Sequence, residues 1–132
     1  MQQWWLKMSK ELNHMADIMF ELSGNSIEEV LEDLCESFNK VFNPVVDGMK
    51  REYVYDIKAK ELDDIIFDIG NYSLNKINEG LFPSKVENMG DKIKIHFSKI
   101  HRLNTSMELK AIAYPKIIQN ENPIKMHVIF DV

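Results

Sequence analysis

Apolar and polar residues follow two periods along this chain, and the first is helical. Between Ser26 and Phe42 apolar residues recur every three or four positions, which predicts an amphipathic helix. Ser26 and Glu29 have the spacing of a capping box at its start. The Asn43-Pro44 pair ends it, because the residue before a proline avoids helical geometry.

A second helical run predicts a helix from Leu62 to Asn78, with Gly80 as its C-terminal cap. Elsewhere the apolar period is two, which is typical of half-buried strands. The predicted strands span 17–22, 51–59, 85–89, 92–100, 107–113 and 124–130. We therefore expect an α+β fold: a single two-layer domain over residues 1–132, with two helices packed on a mostly antiparallel β-sheet.

Composition supports a folded intracellular protein. The chain has 132 residues and 45% apolar content, enough to bury a core without disulfides or structural metal. Its one cysteine, Cys35, lies on the apolar stripe of the first helix, where we expect a small buried side chain. No apolar run is long enough to span a bilayer, and the N-terminal residues lack the apolar centre of a signal peptide. We expect a cytoplasmic protein with no membrane association.

The charge argues against strong direct binding of nucleic acid. The formal net charge is −5, and Arg51 and Arg102 are the chain's two arginines. Proteins that bind nucleic acid through its phosphates need clustered lysine and arginine. If this protein acts on RNA, we expect it to act through a partner protein.

Local motifs for catalysis are absent from the sequence. No HExxH, Walker A, GxGxxG or GxSxG pattern occurs, and no two histidines are three or four residues apart. His96 and His127 fall on the outward faces of predicted strands, where a solvated role is expected. Asp17 and Asp131 lie at the ends of the first and last predicted strands, but spacing alone does not pair them.

Several segments together resemble one known family. Residues 13–18 read Asn-His-Met-Ala-Asp-Ile, and residues 61–68 read Glu-Leu-Asp-Asp-Ile-Ile-Phe-Asp. Residues 108–114 read Glu-Leu-Lys-Ala-Ile-Ala-Tyr, and residues 128–132 read Val-Ile-Phe-Asp-Val. In this order they are similar to motifs of the archease family, and the likeness extends over nearly the whole chain.

The resemblance implies a function and a site. Archeases are protein cofactors of RtcB-type RNA ligases in tRNA splicing and RNA repair; they promote guanylylation and turnover of the ligase and are not enzymes themselves. The family binds a divalent cation (Ca²⁺, Mg²⁺ or Mn²⁺), which implies Asp17, Asp131 and the main chain of Val132 as ligands here. It further implies that Lys110 and His14 support the site or contact the partner.

Three positions and one segment depart from the family pattern and keep an alternative open. The segment is 70–77 of the second predicted helix, which lacks the family's common Trp-Leu-Asn-Glu run. Met15 stands at the usual threonine, Met19 at a small residue and Pro115 at a common histidine. The alternative is a chaperone-like protein-interaction module that binds another RNA-modifying protein. A metal-dependent hydrolase using the same carboxylates is a third hypothesis, although no motif proposes a nucleophile or base beside them.

Overall fold

The structure is a computed structural model that describes residues 17–105 and 108–132 and the backbone of Gln2 and Gln3. Its elements in chain order are β1 (Gln2–Gln3), β2 (Ile18–Gly24), α1 (Ile27–Phe42), β3 (Pro44–Asp56), α2 (Leu62–Asn78), β4 (Leu81–Asn88), β5 (Lys92–Leu103), β6 (Ala111–Ile112), β7 (Lys116–Gln119) and β8 (Ile124–Asp131).

Helix α1 begins and ends at the predicted residues. The Ser26 hydroxyl accepts a hydrogen bond from the Glu29 amide at 3.2 Å. The Glu29 carboxylate accepts one from the amide of Asn25 at 2.9 Å, so the reciprocal bond goes to the residue before the cap. Asn43 adopts a left-handed conformation with φ 45°, which ends the helix before Pro44.

Helix α2 also has its predicted bounds, and Gly80 follows it with φ 93°. One face packs closely on β6: a Cβ added at Gly70 would stand 2.6 Å from Cδ1 of Ile112. The Asn71 side chain accepts a hydrogen bond from the Ile112 amide at 2.9 Å and donates one to the Ile112 carbonyl at 3.2 Å. Asn71 therefore holds β6 much as a neighbouring strand would.

The predicted α+β class is confirmed, and the strands divide into two antiparallel sheets. Within the described residues, one sheet has the order β1-β2-β8-β6, with β7 also pairing with β8, and the other has the order β3-β5-β4. Helix α1 contacts β2 and β4, and α2 contacts β4 and β6, so each helix touches both sheets. Their buried side chains form one apolar cluster.

Several strand predictions need correction. Strand β3 begins at Pro44 rather than at residue 51 and ends at Asp56. The predicted strand 107–113 shortens to Ala111–Ile112, and β7 was not predicted. Most side chains at the start of β3 are exposed, so that segment lacks the alternation that marks a strand.

None of the helices in the described part of the chain is long and apolar enough to cross a membrane.

Candidate functional site

The end of strand β8 lies between two other strands. Strand β2 pairs with it on one side, with Ile18 opposite Phe130, and β6 pairs with it on the other, with Ala111 opposite Asp131. The β2–β8 ladder ends at Ile18 and Phe130, and because paired residues in an antiparallel ladder advance in opposite directions, Asp17 and Asp131 are the next residue of each segment beyond that pair. The strand register therefore leaves the two aspartates that the sequence analysis singled out at the same end of the sheet.

The two aspartates share the face of the sheet that points away from the core. Ile18 and Phe130 are 5% and 0% exposed, and side chains alternate between faces along a strand. Asp17 and Asp131 therefore project to the opposite face, where both are half-buried. Directly opposed residues have Cβ atoms about 4.5–5.5 Å apart, and like charges at such positions are destabilising. A cation bound between them would relieve such repulsion.

Aromatic packing fixes the position of Asp131. The ring of the preceding residue, Phe130, has its centroid 5.2 Å from that of Phe20 and 5.3 Å from that of Phe38. These rings join β8 to β2 and to α1, and each side chain is fully buried. The backbone that carries Asp131 is thus held by the core.

Lys110 and Val132 adjoin the same end of the sheet. The Lys110 amide donates a hydrogen bond to the Asp131 carbonyl at 2.9 Å, while the Lys110 side chain is exposed. The Val132 side chain packs against the apolar cluster, which keeps its main chain beside Asp131. His14, the remaining residue implied by the resemblance, lies outside the described residues.

The donor set fits a hard divalent cation with water in its coordination shell. Carboxylate and main-chain oxygens are ligands that Ca²⁺, Mg²⁺ and Mn²⁺ accept. Asp17 and Asp131 supply two carboxylates, and Val132 can add a main-chain oxygen. No group of three or more histidine, cysteine, aspartate or glutamate side chains that could hold a metal occurs in 17–105 or 108–132. Water or a partner must therefore complete any such site.

A second cross-strand pair on the same face was missed from the sequence. Glu21 is 5% exposed and lies opposite His127, whose Nε2 is 3.3 Å from the Glu21 Oε1. The buried Glu21 Oε2 has no hydrogen-bond partner among the described residues. His127 was expected to be solvated, but its side chain is mostly covered. The alternation of side chains along a strand could have indicated this face. Glu21 is four residues from Asp17, and His127 is four residues from Asp131, so each pair lies on the same side of its strand.

Cys35 behaves as an unreactive thiol. Its side chain is half-buried against the apolar cluster. Burial, with smaller contributions from Glu32 and Glu36, raises the pKa of Cys35 to about 12. At neutral pH it is therefore protonated, which agrees with the packing role expected from the sequence.

Comparison with known proteins assigns this chain to a family. The model of the archease protein family matches residues 10–132. The chain is 33% identical to the protein archease of Thermotoga maritima over 126 residues, covering 94% of this chain and 99% of that protein. It also matches a crystal structure of an archease from Thermotoga maritima, described as a possible chaperone, with TM-score 0.80, 30% identity and coverage of 95% and 98%. On these grounds, the chain belongs to the archease family.

Proposed function

We propose that this archease is a non-enzymatic activator of an RtcB-type RNA ligase, acting in the cytoplasm in tRNA splicing and RNA repair. It promotes guanylylation and repeated turnover of the ligase, as the family resemblance implies. The observation that carries the proposal is the register between β2 and β8, which supports a cation site at Asp17 and Asp131.

In this proposal the cation is bound by Asp17, Asp131 and the main chain of Val132. The cation supplies positive charge that neutralises the two carboxylates. Lys110, whose amide binds the Asp131 carbonyl and whose side chain is exposed, can supply positive charge in its place when the cation leaves. With water in the remaining positions, the cation can be exchanged with, or shared by, the ligase.

Cation titration tests the site. Mn²⁺ or Ca²⁺ is titrated into wild type, Asp17→Ala, Asp131→Ala and the control Asp91→Ala, which removes an exposed carboxylate from the turn between β4 and β5. We expect at least about tenfold weaker binding in the first two variants and no change in the control. Equal affinity of wild type and Asp131→Ala contradicts the site. A short extension after Val132 tests whether the main chain at that residue is a ligand.

A ligation assay tests the activator function separately. The ligase of the same organism is assayed under multiple-turnover conditions with wild-type archease and with Asp131→Ala. We expect stimulation by wild type and a large loss with the variant. Absence of stimulation by wild type contradicts the activator function even if the cation binds.

The alternative is a chaperone-like module for another RNA-modifying protein. It is favoured by the description of the Thermotoga maritima structure as a possible chaperone and by the departures from the family pattern in the second helix and at Met15, Met19 and Pro115. Failure to stimulate the ligase, together with suppressed aggregation of a purified RNA-modifying enzyme, would favour this function.

A further inference from the structure

Two neighbouring strand segments form an exposed arm, which we call the ribbon: Pro44–Arg51 of β3 and Lys99–Leu103 of β5. Within it Met49 is 57% exposed, Val46 38%, Leu103 37% and Val45 36%. Among the described residues, most of the large exposed apolar side chains lie on the ribbon or on the rest of β3. Single exposed apolar residues are ordinary, but a concentration of them indicates an interaction surface.

The ribbon is also cationic, although the chain has a net charge of −5. It carries both arginines, Arg51 and Arg102, together with Lys50 and Lys99, against one carboxylate, that of Asp47. No carboxylate in the described part of the chain forms an ion pair with any of the four. Farther along the same sheet two lysines are paired, Lys94 with Glu52 at 3.6 Å and Lys85 with Glu87 at 3.6 Å. The positive charge of the ribbon is therefore available to a partner.

Three of these cations border one groove. Lys50, Arg51 and Lys99 line a cavity of about 380 Å³ whose other walls include Leu81 and Ile100. The groove also contains Glu79, but that carboxylate pairs with Lys76 at 3.4 Å. The groove thus combines cationic side chains with an apolar wall.

The backbone of the ribbon is poorly suited to adding another strand. The ladder with β5 shifts register between Val45 and Val46, between Val46 and Met49, and between Met49 and Arg51. Such bulges, and a proline at the strand start, are devices that prevent pairing at a sheet edge. Recognition here must rest on side chains.

We propose that the ribbon is a docking surface for a partner protein that presents carboxylates around an apolar patch. Arginine and methionine are enriched in protein interfaces, and four unpaired cations complement an acidic surface. RNA fits less well, because the ribbon has no phenylalanine, tyrosine or tryptophan, and His101 is its one ring on which a base could stack. The inference rests on the proposed function only in choosing the RNA ligase as the first partner to test.

Charge reversal tests the surface against a matched control. Arg51→Glu/Arg102→Glu is compared with Lys58→Glu/Lys116→Glu, which makes the same charge change at exposed positions off the ribbon. We expect the first variant to bind the ligase at least about tenfold more weakly, with a reduced salt dependence, and the control to stay within about twofold of wild type. Thermal unfolding of both variants verifies that they are folded. Equal weakening in the two variants overturns the proposal.

A titration without the ligase separates this proposal from the proposed function. Backbone NMR signals of the wild-type protein are followed on addition of a synthetic peptide of alternating glutamate and leucine, and of single-stranded RNA of equal charge. Saturable shifts at residues 45–51 and 99–103 with the peptide, lost in the arginine variant, support the docking surface even if the ligase does not bind. Stronger shifts with RNA, shifts that depend only on protein concentration, or no shifts at the ribbon overturn it.

Discussion

The end of β8 and the ribbon differ in the sign, burial and backbone support of their charged side chains. At the end of β8 two half-buried carboxylates, those of Asp17 and Asp131, lie just beyond the last pair of the β2–β8 ladder, and the surrounding backbone is held by aromatic packing and by Asn71. On the ribbon the cations are exposed and the backbone is irregular. Like charges persist at a constrained place only if a ligand or the fold compensates for them, whereas unpaired exposed charges cost little stability. We infer that the first region serves ligand binding and the second serves association.

The largest expected effect tests how firmly the core holds the end of β8. Phe130→Ala should lower the free energy of unfolding by about 3–5 kcal/mol, because a fully buried ring is replaced by a cavity. Met49→Ala on the ribbon, where the side chain is 57% exposed, should change it by no more than about 0.5 kcal/mol. Urea unfolding measures the change in the free energy of unfolding for both variants. Comparable losses in the two would contradict the contrast between the two regions.

The next effect concerns the pair of hydrogen bonds by which Asn71 holds β6, which we call the clamp. Asn71→Leu removes both hydrogen bonds to Ile112 and should cost about 2 kcal/mol, because the backbone groups lose their partners. Hydrogen exchange of the Ile112 amide should accelerate more than that of core amides in α1. Asn75→Leu, at an exposed position of the same helix, is the control. Unchanged exchange at Ile112 would show that β6 is held without the clamp.

A smaller effect tests the repulsion between the aspartates. With a chelator present, Asp131→Asn should raise the free energy of unfolding by up to about 1 kcal/mol, because it removes one of two like charges. With saturating Mn²⁺ wild type should have the higher free energy of unfolding, because only wild type gains stability from the bound cation. Thermal unfolding in both conditions, with Asp91→Asn as control, measures the difference. Destabilisation by Asp131→Asn in chelator would contradict the repulsion.

The smallest effect concerns a paired carboxylate on the sheet that carries the ribbon. The hydrogen bond from His96 Nε2, 2.6 Å from the Glu87 Oε1, lowers the pKa of Glu87. A lowered folded-state pKa adds stability above the unfolded pKa, and this is lost as the pH falls through the folded value. The free energy of unfolding of wild type should therefore be higher than that of Glu87→Gln at neutral pH. The two values should converge as the pH falls through the folded-state pKa of Glu87. Unfolding midpoints across that range measure this, with the exposed Glu108→Gln as a control that should show no such convergence.

Local pattern was enough to predict the helices but not the arrangement of the strands. The capping box at Ser26 and the long apolar stripes lie within single segments, so α1 and α2 have their predicted bounds. The division into two sheets depends on pairing between distant segments, which local periodicity cannot specify. Strand β7 has four residues, too few to establish a period of two.

The candidate site was implied by resemblance before the structure supported it with geometry. Nothing in the spacing of Asp17 and Asp131 relates them, whereas the register of β2 with β8 leaves both at one end of the sheet, and their role as cation ligands stays a prediction. The role of Asn71 was not predictable, because its hydrogen bonds join residues 41 positions apart. The domain extent of 1–132 and the contribution of His14 stay predictions.

The central position of β8 in its sheet also limits when that sheet can form during synthesis. Its partner β2 comes from the other end of the sequence, and the contact between Glu21 and His127 joins residues 106 positions apart. Contacts of such separation form late in folding. During synthesis α1 and the β3-β5-β4 sheet can emerge while β2 still lacks its main neighbour. The ribbon can thus be displayed on a nascent chain before Asp131 has been synthesised, and the cation site proposed above would form only after that.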